Sequence, residues 1–166
     1  QPPHLTFRES TVSDVEDFYR IYQDPSITKY MERLFPDKDE ERSYMKDYIQ
    51  KIYGFYGFGL WSVIHTVTGT VIGRAGLSVR EGYEIPELGF VTEVAFQHQG
   101  YTYEICEAIL RYAWKELEFP QVQAFCHPEN TASLHLLQKL GFTYAGEDLL
   151  QGIPHARYIV SLPKSC

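Results

Sequence analysis

Apolar and polar residues alternate at the start of the chain and then change to a helical spacing. Leu5 to Glu9 alternates, which is typical of a half-buried strand. Ser13 and Glu16 have the form of a capping box and predict the start of a helix, which Asp24-Pro25 ends. Pro36-Asp37 predicts the start of a further helix. Its apolar stripe is predicted to consist of Tyr44, Met45, Tyr48, Ile49, Ile52 and Tyr53.

The period changes after a stretch of glycines and aromatic residues at 54–59. Leu60 to His65 and Thr70 to Arg80 have the pattern of two strands, and the turn residues at 67–69 predict that they form a hairpin. Glu87 to Phe96 is predicted to be the next strand. The middle of the chain is therefore expected to supply most of a sheet.

Helices and strands alternate in the last part of the chain. Gly100 to Leu117 has a long apolar stripe typical of a helix, and Val122 to Cys126 is predicted to be a strand. Asn130 to Leu140 is the last predicted helix, closed by Gly141. The remaining residues predict an antiparallel pair, 142–150 with 156–162. Together these elements predict one α/β domain with a mixed sheet over residues 1–166, without an internal linker.

Composition narrows the functional class without defining it. The chain has 166 residues and a net charge of −7, which disfavours a nucleic-acid surface. No apolar run approaches the roughly 20 residues of a membrane helix, and no secretory signal is evident. The three cysteines, Cys106, Cys126 and Cys166, follow no disulfide or zinc pattern, and we expect a cytoplasmic protein. His65, His127 and His135 lack metal-ligand spacing, so we expect no metal site.

The segment from Gln97 to Thr102 is the first candidate for chemistry. It connects a predicted strand to the N-terminus of a predicted helix, where free N–H groups and the helix dipole favour a phosphate. Gly100 permits the positive φ that lets a phosphate approach the backbone. No Gly-Lys-Ser/Thr follows, and the G-x-G-x-x-G spacing is missing, so a nucleotide triphosphatase and a dinucleotide-binding site are disfavoured.

A second segment, from His127 to Phe142, can be explained locally as an asparagine cap, an amphipathic helix and a glycine stop. In combination with the first segment, however, it resembles the GNAT superfamily of acyl-CoA-dependent N-acetyltransferases, specifically the RimJ/RimL-like branch. The matching residues are Gln97 and Gly100 in the first motif, Pro128, Asn130, Ser133, Lys139, Gly141 and Phe142 in the second, the strand segment 88–90, and the N-terminal pair Leu5 and Arg8.

This resemblance implies a GNAT-like fold, with a central mixed, mostly antiparallel sheet that splays into a V and about four flanking helices. It also implies that acetyl-CoA binds as co-substrate, its pantetheine arm along the strand and its pyrophosphate at the helix N-terminus. The residues placed at this site by the resemblance are Thr92, Val94, Gln97, His98, Gln99, Gly100, Tyr101, Thr102, Tyr103, Asn130, Ser133 and Lys139. Two of them depart from the family pattern, because Thr102 replaces a small residue and His98 stands where glycine is common.

The reaction that the resemblance implies is attack of a neutral amine on a thioester. An alkyl ammonium has a pKa of about 10.4, so a base must take a proton. We expect Glu87, at the start of the strand flanking the cleft, to be this base. The family's usual acid, a tyrosine, is replaced by Leu137, and we therefore expect Ser133 on the same helix face to assist the leaving thiolate. Tyr30, Met31, Phe35 and Glu87 are the candidates for acceptor contacts.

Three alternatives follow from the same residues. The first is an enzyme that acetylates a primary amine, either a protein N-terminus or a small molecule, as a monomer or homodimer without nucleic-acid or membrane partners. The second is a non-catalytic acyl-CoA sensor or regulatory module, which the missing tyrosine and Thr102 favour. The third is a domain of a larger protein, because the first residue is Gln1 rather than Met. We favour the enzyme, since Glu87, Asn130 and Ser133 are retained.

Overall fold

The computed structural model of the protein describes residues 4–162. Cys166 therefore lies outside the described residues. Seven strands form one continuous sheet in the order β1-β2-β3-β4-β5-β7-β6. The strands are β1 (Leu5–Glu9), β2 (Leu60–His65), β3 (Thr70–Ser78), β4 (Glu87–Thr92), β5 (Gln121–Cys126), β6 (Thr143–Leu150) and β7 (Ile153–Ser161).

The helices lie between these strands. They are α1 (Val15–Tyr22), α2 (Pro25–Thr28), α3 (Lys38–Tyr48), α4 (Gly54–Tyr56), α5 (Tyr101–Lys115) and α6 (Thr131–Lys139). A 3₁₀ turn (Val12–Asp14) precedes α1, and a π-helical turn (Ile49–Tyr53) connects α3 to α4. Asp37 caps α3 by accepting a hydrogen bond from the Asp39 N–H at 2.9 Å, as predicted.

The sheet is mixed and mostly antiparallel, which confirms the predicted fold class. Strands β1 to β4 are antiparallel neighbours, β5 pairs antiparallel with β7, and β7 pairs antiparallel with β6. Among the strands of residues 4–162, only β4 and β5 run parallel, and helix α5 makes the crossover between them. The described helices exceed the expected four, because the region before β2 forms several short segments.

Two apolar clusters cover the two faces of the sheet. The larger cluster lies under α5 and α6 and includes Ile105, Leu110, Leu137 and residues of most strands. The smaller cluster lies under α1 and α3 and includes Phe18, Met45 and Val91. Alternation along each strand sends neighbouring side chains to opposite faces, so Leu88 belongs to the larger cluster and Val91 to the smaller.

The entry into α1 differs from the predicted capping box at Ser13. Thr11 is the residue before the 3₁₀ turn, and its N–H donates to the Asp14 carboxylate at 2.9 Å. Asp14 also accepts two hydrogen bonds from Arg8, at 2.6 and 2.8 Å, and one from the Ser62 hydroxyl at 2.9 Å. The cap is therefore two residues earlier than predicted, because it forms around a buried carboxylate that joins β1, β2 and α1.

Strand β4 ends at Thr92, although the pattern predicted a strand through Phe96. The Glu93 N–H still donates to Ile72 O at 2.7 Å, but the Phe96 N–H turns back to Glu93 O at 2.8 Å. The Arg20 guanidinium of α1 holds the Glu93 carboxylate at 3.0 Å, which fixes the point where the chain leaves the sheet. Val94 therefore begins a 3₁₀ turn (Val94–Phe96) and is not a strand residue.

Candidate active site

The parallel strands β4 and β5 separate along their length. They share one register pair, Glu87 with Gln123, at their N-terminal ends. The Gln123 N–H donates to Pro86 O at 2.9 Å, and its side-chain amide donates to Ile85 O at 2.9 Å, which closes this end. Beyond the pair no ladder continues between the two strands within the described residues. The sheet therefore has the predicted V-shaped opening, with its mouth between Thr92 and Cys126.

A loop connects the end of β4 to α5 at the mouth of this opening. The Gln97 side-chain amide donates to Thr92 O at 2.8 Å, and the Thr92 and Thr102 hydroxyls lie 2.9 Å apart. These contacts attach the loop and the first turn of α5 to the end of β4. The Thr102 side chain therefore contacts the strand end, where it is held by a hydrogen bond.

The middle of this loop adopts left-handed backbone conformations. His98 has a φ of 61° and Gly100 a φ of 83°, while the Gln99 side-chain amide donates to Ala95 O at 3.1 Å. A side chain added at Gly100 would meet no atom within 4 Å, so open space lies beside the loop. His98 thus adopts the conformation for which the family pattern has glycine. The first N–H groups of α5, which a helix leaves without internal partners, follow directly.

Two of the aromatic residues in the first turn of α5 have different neighbours. The Lys139 ammonium, at the end of α6, lies 4.5 Å from the centre of the Tyr103 ring. The Tyr101 ring lies 4.9 Å from the His4 ring and 6.0 Å from the His65 ring, measured between centres. The fold thus brings Lys139 beside the N-terminus of α5, although the two are far apart in the sequence.

Helix α6 begins at the opposite side of the mouth. Asn130 caps it, because its side-chain oxygen accepts from the Ser133 N–H at 3.2 Å. Ser133 is half-buried, and its hydroxyl forms no hydrogen bond with any residue in the range 4–162. Leu137 lies one turn further along and is only 1% exposed within the larger apolar cluster. The position of the family's tyrosine is therefore part of the core in this protein.

Glu87 lies at the closed end of the V and is bound to an arginine. The Arg80 guanidinium donates to its two oxygens at 2.5 and 3.1 Å, and the Glu87 side chain is 14% exposed. The hydrogen bond with Glu87 raises the pKa of Arg80, and this effect outweighs burial, which lowers it. A cleft of about 560 Å³ adjoins the pair, lined by Ser78, Val79, Arg80, Glu81, Tyr83, Glu87, Asp148, Leu149, Leu150 and Gln151.

The residues predicted to contact the acceptor have different neighbours in the structure. The Tyr30 ring lies 4.9 Å from the His127 ring, and its hydroxyl donates to Glu129 O at 3.4 Å, so Tyr30 adjoins the loop between β5 and α6. Met31 follows it and is 37% exposed. Phe35 instead lies 5.9 Å from Tyr44 of α3, measured between ring centres. The Phe35 ring therefore packs beside α3, and Tyr44 is exposed rather than part of the predicted buried stripe.

His127 is a residue of this region that the sequence considered only as a metal ligand. Its ring lies between Tyr30 and His155, whose ring centre is 5.9 Å away. Its Nδ1 accepts from the Glu129 N–H at 3.1 Å, so a neutral His127 ring carries its proton on Nε2. The sequence signal that could have identified His127 is its position directly after the predicted strand 122–126. Among residues 4–162, no group of three or more His, Cys, Asp and Glu side chains is arranged to hold a metal ion.

Comparisons with known proteins agree with this geometry. The family model for the Acetyltransferase (GNAT) domain matches residues 4–143. An uncharacterized N-acetyltransferase of Bacillus subtilis, YnaD, is 29% identical over 143 residues, which is 86% of this chain and 81% of that protein. No helix in the described part of the chain is long and apolar enough to cross a membrane.

Two solved structures illustrate the similarity of fold. A GNAT-family acetyltransferase from Bacillus anthracis has a TM-score of 0.80 and 23% identity, covering 97% of this chain and 96% of that chain. The spermidine N-acetyltransferase from Vibrio cholerae, solved in complex with CoA and spermine, has a TM-score of 0.80 and 17% identity, covering 95% of each chain. At these identities the two structures support the fold alone.

Proposed function

The chain belongs to the GNAT acetyltransferase family, and we propose that it transfers an acetyl group from acetyl-CoA to a primary amine in a ternary complex. The observation that carries this proposal is the opening between β4 and β5, which leads to the N-terminus of α5. An acetyl-CoA molecule whose pantetheine arm entered the opening would have its phosphates at the N-terminus of that helix. The acceptor is a small-molecule amine or a protein N-terminus.

The loop at the start of α5 is the proposed pyrophosphate site. Backbone N–H groups from Gln99 to Tyr103 and the positive end of the helix dipole would face the phosphates. Lys139, beside Tyr103, would add a positive charge. His98 adjoins Gln99, and its left-handed conformation, like that of Gly100, shapes the turn. The spermidine N-acetyltransferase of similar fold was solved in complex with CoA, which is consistent with a CoA site on this fold.

The pantetheine arm would lie in the opening itself. Thr92 ends one side of the opening, and Asn130 begins the helix on the other. Because the cap occupies the Asn130 side-chain oxygen, its amide nitrogen is the group that would donate to the arm. Gln97 and Thr102 support this wall through their bonds to Thr92, and Val94 and Tyr101 border it.

The proposed reaction forms one bond and breaks one. The amine nitrogen attacks the thioester carbon, the carbon–sulfur bond breaks, and its electron pair leaves on sulfur. The attacking amine is in its neutral form, so its nitrogen loses one proton as the amide forms. That proton passes to Glu87, directly or through water, and Ser133 donates a hydrogen bond to the thiolate. Because Arg80 holds both oxygens of Glu87, this carboxylate is fixed in position at the closed end of the V.

A non-catalytic acyl-CoA sensor is the second candidate function, and two observations favour it. Leu137 fills the position of the family's acid and is buried in the core. The proposed base is already paired with Arg80. A sensor would bind acetyl-CoA but transfer no acetyl group, so binding and turnover must be measured separately.

The first experiment is calorimetric titration of acetyl-CoA into the native chain and two glycine variants. Gly100→Trp places a large ring beside the proposed pyrophosphate site. Gly57→Trp is the matched control, because Gly57 also has a positive φ (74°) with no atom within 4 Å of an added Cβ, but it follows α4, before β2 begins. We expect binding by the native chain and Gly57→Trp, and none by Gly100→Trp.

The second experiment is release of free CoA thiol in the presence of a panel of primary amines. Turnover with any amine supports the enzyme. Binding without turnover on the whole panel would favour the sensor. Failure of the folded native chain to bind acetyl-CoA would contradict both functions.

A further inference from the structure

Arg74 is a buried cation on the face of the sheet that α1 and α3 cover. It lies in β3 and is 8% exposed. Its guanidinium carbon is 4.6 Å from the centre of the Phe18 ring in α1. A cation–π contact of this kind orients the guanidinium plane, but it supplies neither a negative charge nor a hydrogen-bond acceptor.

Arg74 has no ionic partner within residues 4–162, and its Nε is a buried donor without an acceptor there. Arg8, Arg20 and Arg80 are each more exposed, yet each is bound to a carboxylate. The nearby Ser62 hydroxyl is already bonded to Asp14 and to Ser10, at 2.9 and 2.7 Å. A buried charge without a partner is strongly disfavoured, so an anionic group bound beside this arginine would be stabilised by it.

The strand register places Arg74 on the same face as Glu87. Along β3 and β4 the opposed pairs on this face are Arg74 with Val91, Gly76 with Gly89, and Ser78 with Glu87. The pair between Arg74 and Glu87 therefore consists of two glycines. A Cβ at Gly89 would have only Leu60 Cδ2 within contact distance, at 3.4 Å. The Gly59 backbone covers Gly76, so the room at this pair lies above β4, beside the Leu60 side chain and next to the closed end of the V.

We propose that Arg74 binds the carboxylate of the acceptor, so that the acceptor is a primary amine that also carries a carboxylate, such as an amino acid. This inference rests on the proposed function. An amine above Gly89 would lie about 7 Å along the strands from the Arg74 pair, since residues two apart on a strand are separated by that distance. A guanidinium side chain spans this gap, and its fork matches a carboxylate in two parallel hydrogen bonds.

The same arginine would disfavour polyamines as acceptors. A polyamine would place a second ammonium near an unpaired guanidinium, which is repulsive where the local dielectric is low. A carboxylate, in contrast, would satisfy the buried Nε or the terminal nitrogens of Arg74 and restore neutrality. Arg74 is therefore a specificity-determining residue in this proposal, whereas Glu87 acts on the amine.

The test compares L-amino acids with their carboxamides as acceptors, measured as CoA thiol release at one pH. The carboxamide has the less basic amine and thus more of the reactive neutral form, so amine availability cannot explain a preference for the acid. For the native chain we expect kcat/KM to favour the acid by roughly 30-fold or more, the usual effect of a buried charge partner. Equal use of acid and carboxamide would overturn the proposal while leaving the proposed function intact.

Two variants locate the effect. Arg74→Met keeps much of the side-chain volume and removes the charge, and we expect it to lose the preference for acids, retain acetyl-CoA binding and melt no lower than the native chain. Arg111→Met, an exposed position on α5, is the control and should retain the preference. An unchanged preference in Arg74→Met, or a large fall in its melting temperature, would overturn the proposal. If neither acids nor carboxamides are acetylated, this inference fails, whereas turnover of any other primary amine would leave the proposed function standing.

Discussion

Arg80 and Glu87 form a two-point ion pair at the closed end of the V, with N–O distances of 2.5 and 3.1 Å. Arg80 follows the end of β3 and Glu87 begins β4, so the pair also closes the connection between these strands. The Arg80 guanidinium carbon lies 5.2 Å from the centre of the Phe125 ring of β5, which fixes the pair to the far side of the opening. The carboxylate proposed as base therefore has one orientation.

Glu87→Gln should lower kcat for acetyl transfer by about 100-fold or more, the usual contribution of a general base, and leave acetyl-CoA affinity unchanged. The amide keeps the shape of the side chain but cannot take a proton. Steady-state CoA release and calorimetry measure the two quantities. Glu84→Gln, an exposed acid in the preceding loop, is the control and should retain native kcat. A native kcat in Glu87→Gln would exclude Glu87 as the base.

Ser133→Ala should lower kcat by at least about tenfold, because the leaving thiolate would lose a hydrogen bond. Leu137→Tyr, which restores the family's tyrosine, should not raise kcat. It should instead destabilise the protein by about 2 kcal/mol, because the larger ring overpacks a position that is 1% exposed. Urea unfolding and CoA release check both variants. A faster and equally stable Leu137→Tyr would show that the core accommodates a tyrosine directed at the opening.

His98→Gly should stabilise the protein by about 0.5–1 kcal/mol. The side chain at His98 is strained by its φ of 61°, and glycine relieves that strain at some cost in unfolded-state entropy. His135→Gly is the contrasting control, because His135 lies within α6, where glycine should destabilise by about 1 kcal/mol. Urea unfolding measures both free energies. Destabilisation by His98→Gly would indicate that the imidazole forms a compensating interaction.

The Asp14 carboxylate should make stability depend on acid pH. Burial opposes its charge, but hydrogen bonds from Arg8, the Thr11 N–H and Ser62 outweigh burial and lower the pKa of Asp14. A lowered pKa in the folded state adds stability above the unfolded value of about 4, and this stability is lost as pH falls through the folded pKa. Asp14→Asn should lose about 2 kcal/mol at pH 7.

Thermal unfolding of the native chain and Asp14→Asn between pH 7 and pH 3 checks this dependence. The difference in unfolding free energy between the two proteins should shrink as the pH falls below about 4. A constant difference over the whole range would mean that the Asp14 carboxylate contributes through packing rather than through its charge.

Most of the helices and strands, and the family, could be predicted from local sequence pattern. Local spacing is sufficient for this, because a helix stripe such as that of α5 and a hairpin such as β2–β3 depend on neighbouring residues. The match of Gln97 and Gly100 with Asn130 to Gly141 likewise needed no coordinates. Local pattern was insufficient at the end of β4, where Arg20 from α1 binds Glu93 and ends the strand. It also misplaced the first cap, which Asp14 draws to Thr11.

The contacts between side chains distant in the chain could not be predicted from local pattern. Phe35 was grouped with Tyr30 from sequence, but the chain between them turns Phe35 toward Tyr44 and Tyr30 toward His127. The Arg80–Glu87 pair and the unpaired state of Arg74 likewise could not be predicted from the sequence. A charged residue in a strand gives the same sequence pattern whether or not a partner faces it. Partners are chosen by elements distant in the chain, and the free energy of a buried charge depends on those partners rather than on its neighbours in sequence.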